Sequence, residues 1–261
     1  MTFDKKYVAV ITGACGGIGK AIAKRLAMEG VILALIDKQA DVLQSLVNKL
    51  SHEYSQPIIG FSVDVTEPQQ VGSAFLAIRN QLGPIGYLVN GAGVLHHGFV
   101  ENTDIDAWNH IVAVNATGVF NVSKAAASYM TEQKKGSIVT VASNAARIPR
   151  AKMAAYCASK AAAQAFTYAL GLEVAPLGIR CNVVAPGSTD TPMLRSMWEN
   201  ENDKNCTLDG NLEQFRIGIP LRKIATSDEI AAAVCFYLSE ESSQTTLSTL
   251  LVDGGAALGS C

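Results

Sequence analysis

No apolar run in these 261 residues is long enough to cross a bilayer, and the opening MTFDKKYVAVITGA enters a strand at once, without the apolar core and cleavage site of a secretory leader. A cytoplasmic protein is expected. The six cysteines (Cys15, Cys157, Cys181, Cys206, Cys235 and Cys261) include no C-x-x-C pair and have no nearby histidine ligands. That spacing argues against a zinc site, any other metal centre or a disulfide framework, and leaves reduced thiols. A net charge of −2 supplies no basic field for nucleic acid or anionic lipid. A small molecule is the partner that remains.

What is present is alternation. YVAVIT (7–12), VILALI (31–36), IIGFSV (58–63), IGYLVN (85–90), GSIVTVAS (136–143), IRCNVVA (179–185) and LSTLLVD (247–253) read as buried strands. Helical patterns lie between them at 17–29, 39–53, 68–82, 106–132, 153–175 and 227–239. The order predicts an α/β Rossmann fold, a seven-stranded parallel sheet with helices on both faces, as one dinucleotide-binding and catalytic domain over 1–261. The stretch 188–216 breaks the pattern: it is polar, strand-free and carries Met193, Leu194, Met197 and Trp198 in its first part. It follows a strand's carboxyl end, where ligands of such sheets bind, so a lid with an apolar underside is expected there.

Between the first strand and first helix stand Thr12, Gly13, Gly17, Ile18 and Gly19, spaced G-x-x-x-G-x-G. Glycines at these points let the backbone approach a pyrophosphate, which then meets the positive end of a helix. Asp37 closes the second strand about twenty residues on, where a carboxylate can accept from an adenosine ribose and repel a 2′-phosphate. Lys38 beside it is discordant, yet Ala14, Cys15 and Gly16 add no second cation, so NAD is expected over NADP. Asp64, followed by Val65, either holds the adenine edge or caps a turn. Asn90, Ala92 and Gly93 form another close turn after the fourth strand, with the Asn90 amide also able to tie strand ends together.

Tyr156 and Lys160 share one helix face at i, i+4, thirteen residues after Ser143. A fixed cation there is expected to lower a phenol that ordinarily titrates near pH ~10, making it a general acid or base. The order TGACGGIG, Asp37, Asp64, NGAG, Asn115, Ser143, Tyr156 with Lys160, and Pro186-Gly187 followed by Thr191 resembles the short-chain dehydrogenase/reductase family across essentially the whole chain.

The resemblance implies that Tyr156 is the acid/base, that Lys160 holds the nicotinamide ribose, that Ser143 orients the reacting oxygen and that Asn115 braces a relay water. It also implies that Pro186, Gly187, Thr189 and Thr191 clamp the nicotinamide, and that the chain assembles as a homotetramer. GSIVTVASNAARIPRAKMAAY, GIRCNVVAPGSTDTPMLRSMW, EQFRIGIPLRKIA and VDGGAALG resemble those members that oxidise a carboxylated cyclohexadiene diol for catecholate siderophores. Such a substrate needs a cation, and Arg147 and Arg150 flank Ile148-Pro149 in the loop before Tyr156, with Arg150 the expected partner. Met193 is expected against the ring, and His96 and His97 as polar residues of the rim. A relative with another alcohol substrate, or a binding protein that lost its chemistry, are the competing readings.

Overall fold

The central apolar runs become strands because both of their faces are covered, while the edge runs 58–62 and 249–252 stay partly open. The computed structural model describes residues 1–198 and 201–259. Its strands are β1 (Val8–Thr12), β2 (Ile32–Asp37), β3 (Ile58–Ser62), β4 (Ile85–Asn90), β5 (Gly136–Val141), β6 (Ile179–Pro186) and β7 (Thr249–Val252). They form one parallel sheet in the order β3-β2-β1-β4-β5-β6-β7. The order reverses between β1 and β4, which opens a crevice at their carboxyl ends.

The principal helices are α1 (Gly17–Met28), α2 (Ala40–Glu53), α3 (Pro68–Leu82), α4 (Ile105–Val112), α5 (Gly118–Gln133), α6 (Ala154–Val174), α7 (Pro192–Arg195), α8 (Glu201–Asp209) and α9 (Ser227–Leu238). Side chains alternate across the strands with a period of two, so Ala9, Ile11, Leu33 and Leu35 pack with α1, α2 and α9, while Val8, Val10, Ala34 and Ile36 pack with α3 and α5. No helix among the described residues is long and apolar enough to cross a membrane. Burial pushes the Cys15 thiol up to about 11 and those of Cys181 and Cys235 up to about 12, which keeps them protonated and unreactive. Cys261 lies outside the described residues.

Two expectations need correction. The pattern at 106–132 is not one regular helix: Ala113–Thr117 is a π-turn between α4 and α5, with Asn115 at its centre. Such widened turns concentrate at functional sites. The fifth strand also ends at Val141 rather than 143, and Ser143 begins a short 3₁₀ turn with its hydroxyl accepting from Ala145 N at 3.1 Å.

Arg180 on β6 fastens the far end of the sheet. Its guanidinium donates to Tyr237 O at 2.7 Å, Ser242 Oγ at 2.8 Å, Ser239 O at 3.0 Å and Leu238 O at 3.2 Å, closing the orphan carbonyls at the end of α9. Arg180→Met should destabilise the protein by about 3 kcal/mol, because the chain cannot replace those charge-assisted donors. Chemical denaturation at fixed protein concentration would measure it, and an unchanged midpoint would show that water replaces the guanidinium.

Candidate active site

The glycine-rich turn is shaped by steric necessity. Gly13 has φ +65°, and a Cβ there would stand 2.6 Å from Gly91 O. A Cβ on Gly19 would lie 2.1 Å from Gly13 O. No side chain caps the start of α1 and no acidic residue occupies its first turn, so its N–H groups remain for an anion. The Asp37 carboxylate accepts from Cys15 N at 2.9 Å and Gln39 N at 3.1 Å, which fixes it beside this turn. Thr12 Oγ1 accepts from Gly91 N at 3.1 Å and Ala92 N at 3.3 Å and donates to Val89 O at 3.3 Å, holding the β1 and β4 turns together. A backbone cradle that Cβ atoms would fill, an uncapped helix start and a carboxylate at the end of β2 fit a dinucleotide.

Other residues of the expected cofactor set have structural partners. Asp64 Oδ1 accepts from Thr66 N at 2.9 Å and Thr66 Oγ1 at 2.8 Å, a turn cap that holds its carboxyl below the usual range. Val65 packs in the core, and its carbonyl accepts from Asn121 Nδ2 at 3.0 Å. The Asn90 amide donates to Ser123 Oγ at 2.9 Å and Thr140 Oγ1 at 3.2 Å, tying β4 to its neighbours. Its Oδ1 is buried without a hydrogen-bond partner.

A cavity of about 370 Å³ opens at the carboxyl ends of the strands. Ile18, Gly93, Ser143, Tyr156, Lys160, Pro186, Gly187, Thr189, Thr191, Arg150 and Met193, all singled out from the sequence, lie on its wall. Thr191 caps α7 by accepting from Leu194 N at 3.3 Å and donates to Thr189 O at 3.2 Å. A Cβ on Gly187 would meet Asp253 Cβ at 2.6 Å, and Asp253 Oδ2 accepts from Asn144 Nδ2 at 3.1 Å. Asp253, just past β7, thereby pins the turn that carries Ser143.

Asn115 is fully buried and grips a backbone segment on the cavity side. Its Oδ1 accepts from Val94 N at 2.9 Å, and its Nδ2 donates to Val94 O at 2.9 Å and Ser159 Oγ at 3.0 Å. Lys160 is 6% exposed and donates to Val141 O at 2.9 Å, with its ammonium 5.8 Å from the Tyr156 ring centre. Burial lowers the ammonium to about 8.

The expected depression of the Tyr156 phenol by this lysine does not appear. Burial raises the phenol above its ordinary value, and a hydrogen bond with Ser143 only partly offsets it. Its ring is nevertheless partly open to the cavity, so the group is desolvated yet reachable. The arrangement can move a proton between a phenol and an oxygen held by Ser143.

The segment 188–216 does cover the cavity, but its underside is mixed rather than apolar. Leu194, Met197 and Trp198 share that surface with Asp203, Asn211, Gln214 and Arg216. Residues 199 and 200 within it lie outside the described residues. Arg216 is absent from the sequence-based site, although the matched stretch EQFRIGIPLRKIA contains it. Arg147 turns away from the cavity and donates to Tyr168 Oη at 3.3 Å. His97 reaches the cavity wall and His96 does not.

A crevice at the strand-order reversal, a glycine cradle and a Ser-Tyr-Lys constellation define a nicotinamide-dependent oxidoreductase. The family model "short chain dehydrogenase" matches residues 7–202, and the chain belongs to that family. It is 45% identical to the 2,3-dihydro-2,3-dihydroxybenzoate dehydrogenase of Bacillus subtilis (strain 168), over 97% of this chain and 96% of that protein. The Escherichia coli (strain K12) protein of the same name is 39% identical over 99% of this chain and 100% of its own length. The crystal structure of gox2181 superposes with a TM-score of 0.90 at 29% identity, covering 98% of this chain and 97% of that one.

Proposed function

We propose that the chain oxidises 2,3-dihydro-2,3-dihydroxybenzoate to 2,3-dihydroxybenzoate with NAD, supplying catechol acid for catecholate siderophores. The observation that carries this reading is the Ser143-Tyr156-Lys160 group facing a cavity whose wall also presents the guanidinium of Arg150. Full-length similarity to two dehydrogenases of that name supports the substrate. Asp37, anchored at the end of β2, favours NAD, since its charge opposes a 2′-phosphate.

In this reading the glycine-rich turn and Asp37 would hold the dinucleotide, whose nicotinamide would supply the acceptor for hydride from a ring carbinol. Tyr156, as phenolate, takes the hydroxyl proton, and Ser143 steadies the alkoxide that develops. Lys160 holds positive charge beneath them. Asn115 keeps Val94 and Ser159 in register with the site. The keto product tautomerises to the aromatic ring, which draws the sequence forward.

The chain acts as one domain in the cytoplasm. Exposed apolar side chains on α4, α5 and α6, including Ile105, Trp108, Phe120 and Leu172, support a homotetramer, which sedimentation would reveal.

The decisive assay mixes protein, NAD⁺ and the dihydrodiol of benzoate, and follows NADH absorbance with catechol fluorescence. Both should rise together, and NADP⁺ should give rates lower by about a hundredfold, the order expected for one misplaced charge in a phosphate-excluding site. NADH without catechol would instead favour a different alcohol.

A further inference from the structure

Arg150 and Arg216 reach one cavity from different parts of the chain. Arg150 comes from the loop between β5 and α6, and Arg216 from the covering segment after α8. Asn211 and Arg216 form a two-residue bridge, Asn211 N donating to Arg216 O at 2.8 Å and Arg216 N to Asn211 O at 2.9 Å. Gly210 and Gly218 bracket it at φ +95° and +79°, and a Cβ on Gly210 would strike Arg216 O at 2.4 Å. Phe215 and Ile217 are exposed on either side, so Arg216 is the inward member of an out-in-out triplet. Its Nη2 donates to Ser188 Oγ at 2.9 Å, which orients the fork.

The electrostatics of that wall are unbalanced. Among the described residues, Arg150, Lys152, Lys160 and Arg216 line it against one carboxylate, Asp203, with Asp253 near Arg150 behind the wall. Among the described residues, neither guanidinium forms an ion pair with a carboxylate. Burial, and next the charge of Arg150, hold the Arg216 guanidinium below its ordinary value, and burial does the same to Arg150. Two half-buried like charges raise the energy of the closed cavity unless an anion sits between them.

We propose that Arg150 and Arg216 together seat the substrate's carboxylate, with Arg216 the specificity-determining arm that the covering segment contributes. This deepens the substrate reading above and rests on it. A carboxylate accepts from both guanidinium forks in plane, and a neutral ring alcohol leaves the two cations facing each other. Discrimination against uncharged alcohols then comes from unrelieved repulsion as well as from attraction to the acid. A sulfonate would meet the same two forks, so the test separates the two oxyanions.

The test titrates NAD⁺-loaded protein with benzoate, benzenesulfonate and benzamide by calorimetry, beside Arg150→Met, Arg216→Met and Arg216→Lys. Each methionine variant should weaken benzoate by about 30-fold, the worth of a charged hydrogen bond, and change benzamide by less than about twofold. The lysine variant should recover part of the loss. Combined, the two methionine changes should weaken benzoate less than the product of the single effects, as expected for arms sharing one ligand.

In turnover, Arg216→Met should raise KM for the dihydrodiol by at least about 30-fold with kcat little changed. Benzoate affinity unchanged in Arg216→Met, or an equal loss for benzamide, overturns the proposal. Tighter binding of benzenesulfonate than of benzoate overturns the carboxylate assignment. If benzoate depends on both arginines but the dihydrodiol is not oxidised, the clamp stands and the substrate reading falls. Oxidation of the dihydrodiol untouched by Arg216→Met gives the reverse.

Discussion

Tyr156→Phe is expected to lose at least about a thousandfold in kcat, the upper range for removing a positioned acid or base. Dinucleotide affinity should stay within about threefold of the parent, because the aromatic ring and its packing remain. The hydroxyl alone is deleted, and with it the titratable group that shares the cavity wall with Ser143. Stopped-flow NADH absorbance and calorimetric binding of NAD⁺ separate the two effects. In the parent, burial holds the phenol above its ordinary value, so it retains its proton at neutral pH. The phenolate needed for oxidation therefore grows as pH rises, and the oxidation rate should climb with pH across the neutral range. A variant keeping a tenth of the parent rate would shift the proton step elsewhere, with His97 on the same wall the first group to test.

Lys160→Met should combine two large and opposite effects. kcat/KM falls by at least about a hundredfold, since the buried ammonium beside Tyr156 is removed. Stability at pH 7 rises by about 2 kcal/mol. The ammonium is held at about 8 by burial against an ordinary 10.5, so below pH 8 both folded and unfolded chains are protonated and the folded one bears the full penalty. At about 1.4 kcal/mol for each unit, that penalty exceeds 3 kcal/mol, and stranding Val141 O without its donor takes back about 1. As pH rises from 8 toward 10.5 the folded lysine releases its proton first and the advantage of methionine fades. Denaturant midpoints at pH 7 and pH 10 would report this. Equal or lower stability of the variant at pH 7 would show that the buried charge is solvated after all.

The central strands could be read because each is buried on both faces, and uninterrupted apolar runs such as VILALI have few other ways to be satisfied. The cradle was legible for a related reason, since Gly13 and Gly19 occupy positions where a Cβ has no room. The π-turn at Ala113–Thr117 was not, because the apolar spacing of IVAVNATGVF continues through it without a break. Arg216 escaped because its inward aim depends on Asn211 and two glycines bending a polar stretch back on itself, a tertiary event with no periodic trace. The state of Tyr156 was misjudged because sequence spacing reveals the neighbouring cation but not how much water the fold removes. Arg150 was favoured over Arg147 from the sequence by its place in the matched stretch alone, and the bond from Arg147 to Tyr168 Oη is a tertiary difference that the sequence does not print.

Asp253 adds a long-range constraint. The turn bearing Ser143 is tethered to a residue that follows the last strand, more than a hundred positions downstream. A chain cut short before the final strand keeps its glycine-rich turn in sequence but lacks the carboxylate that pins the turn bearing Ser143.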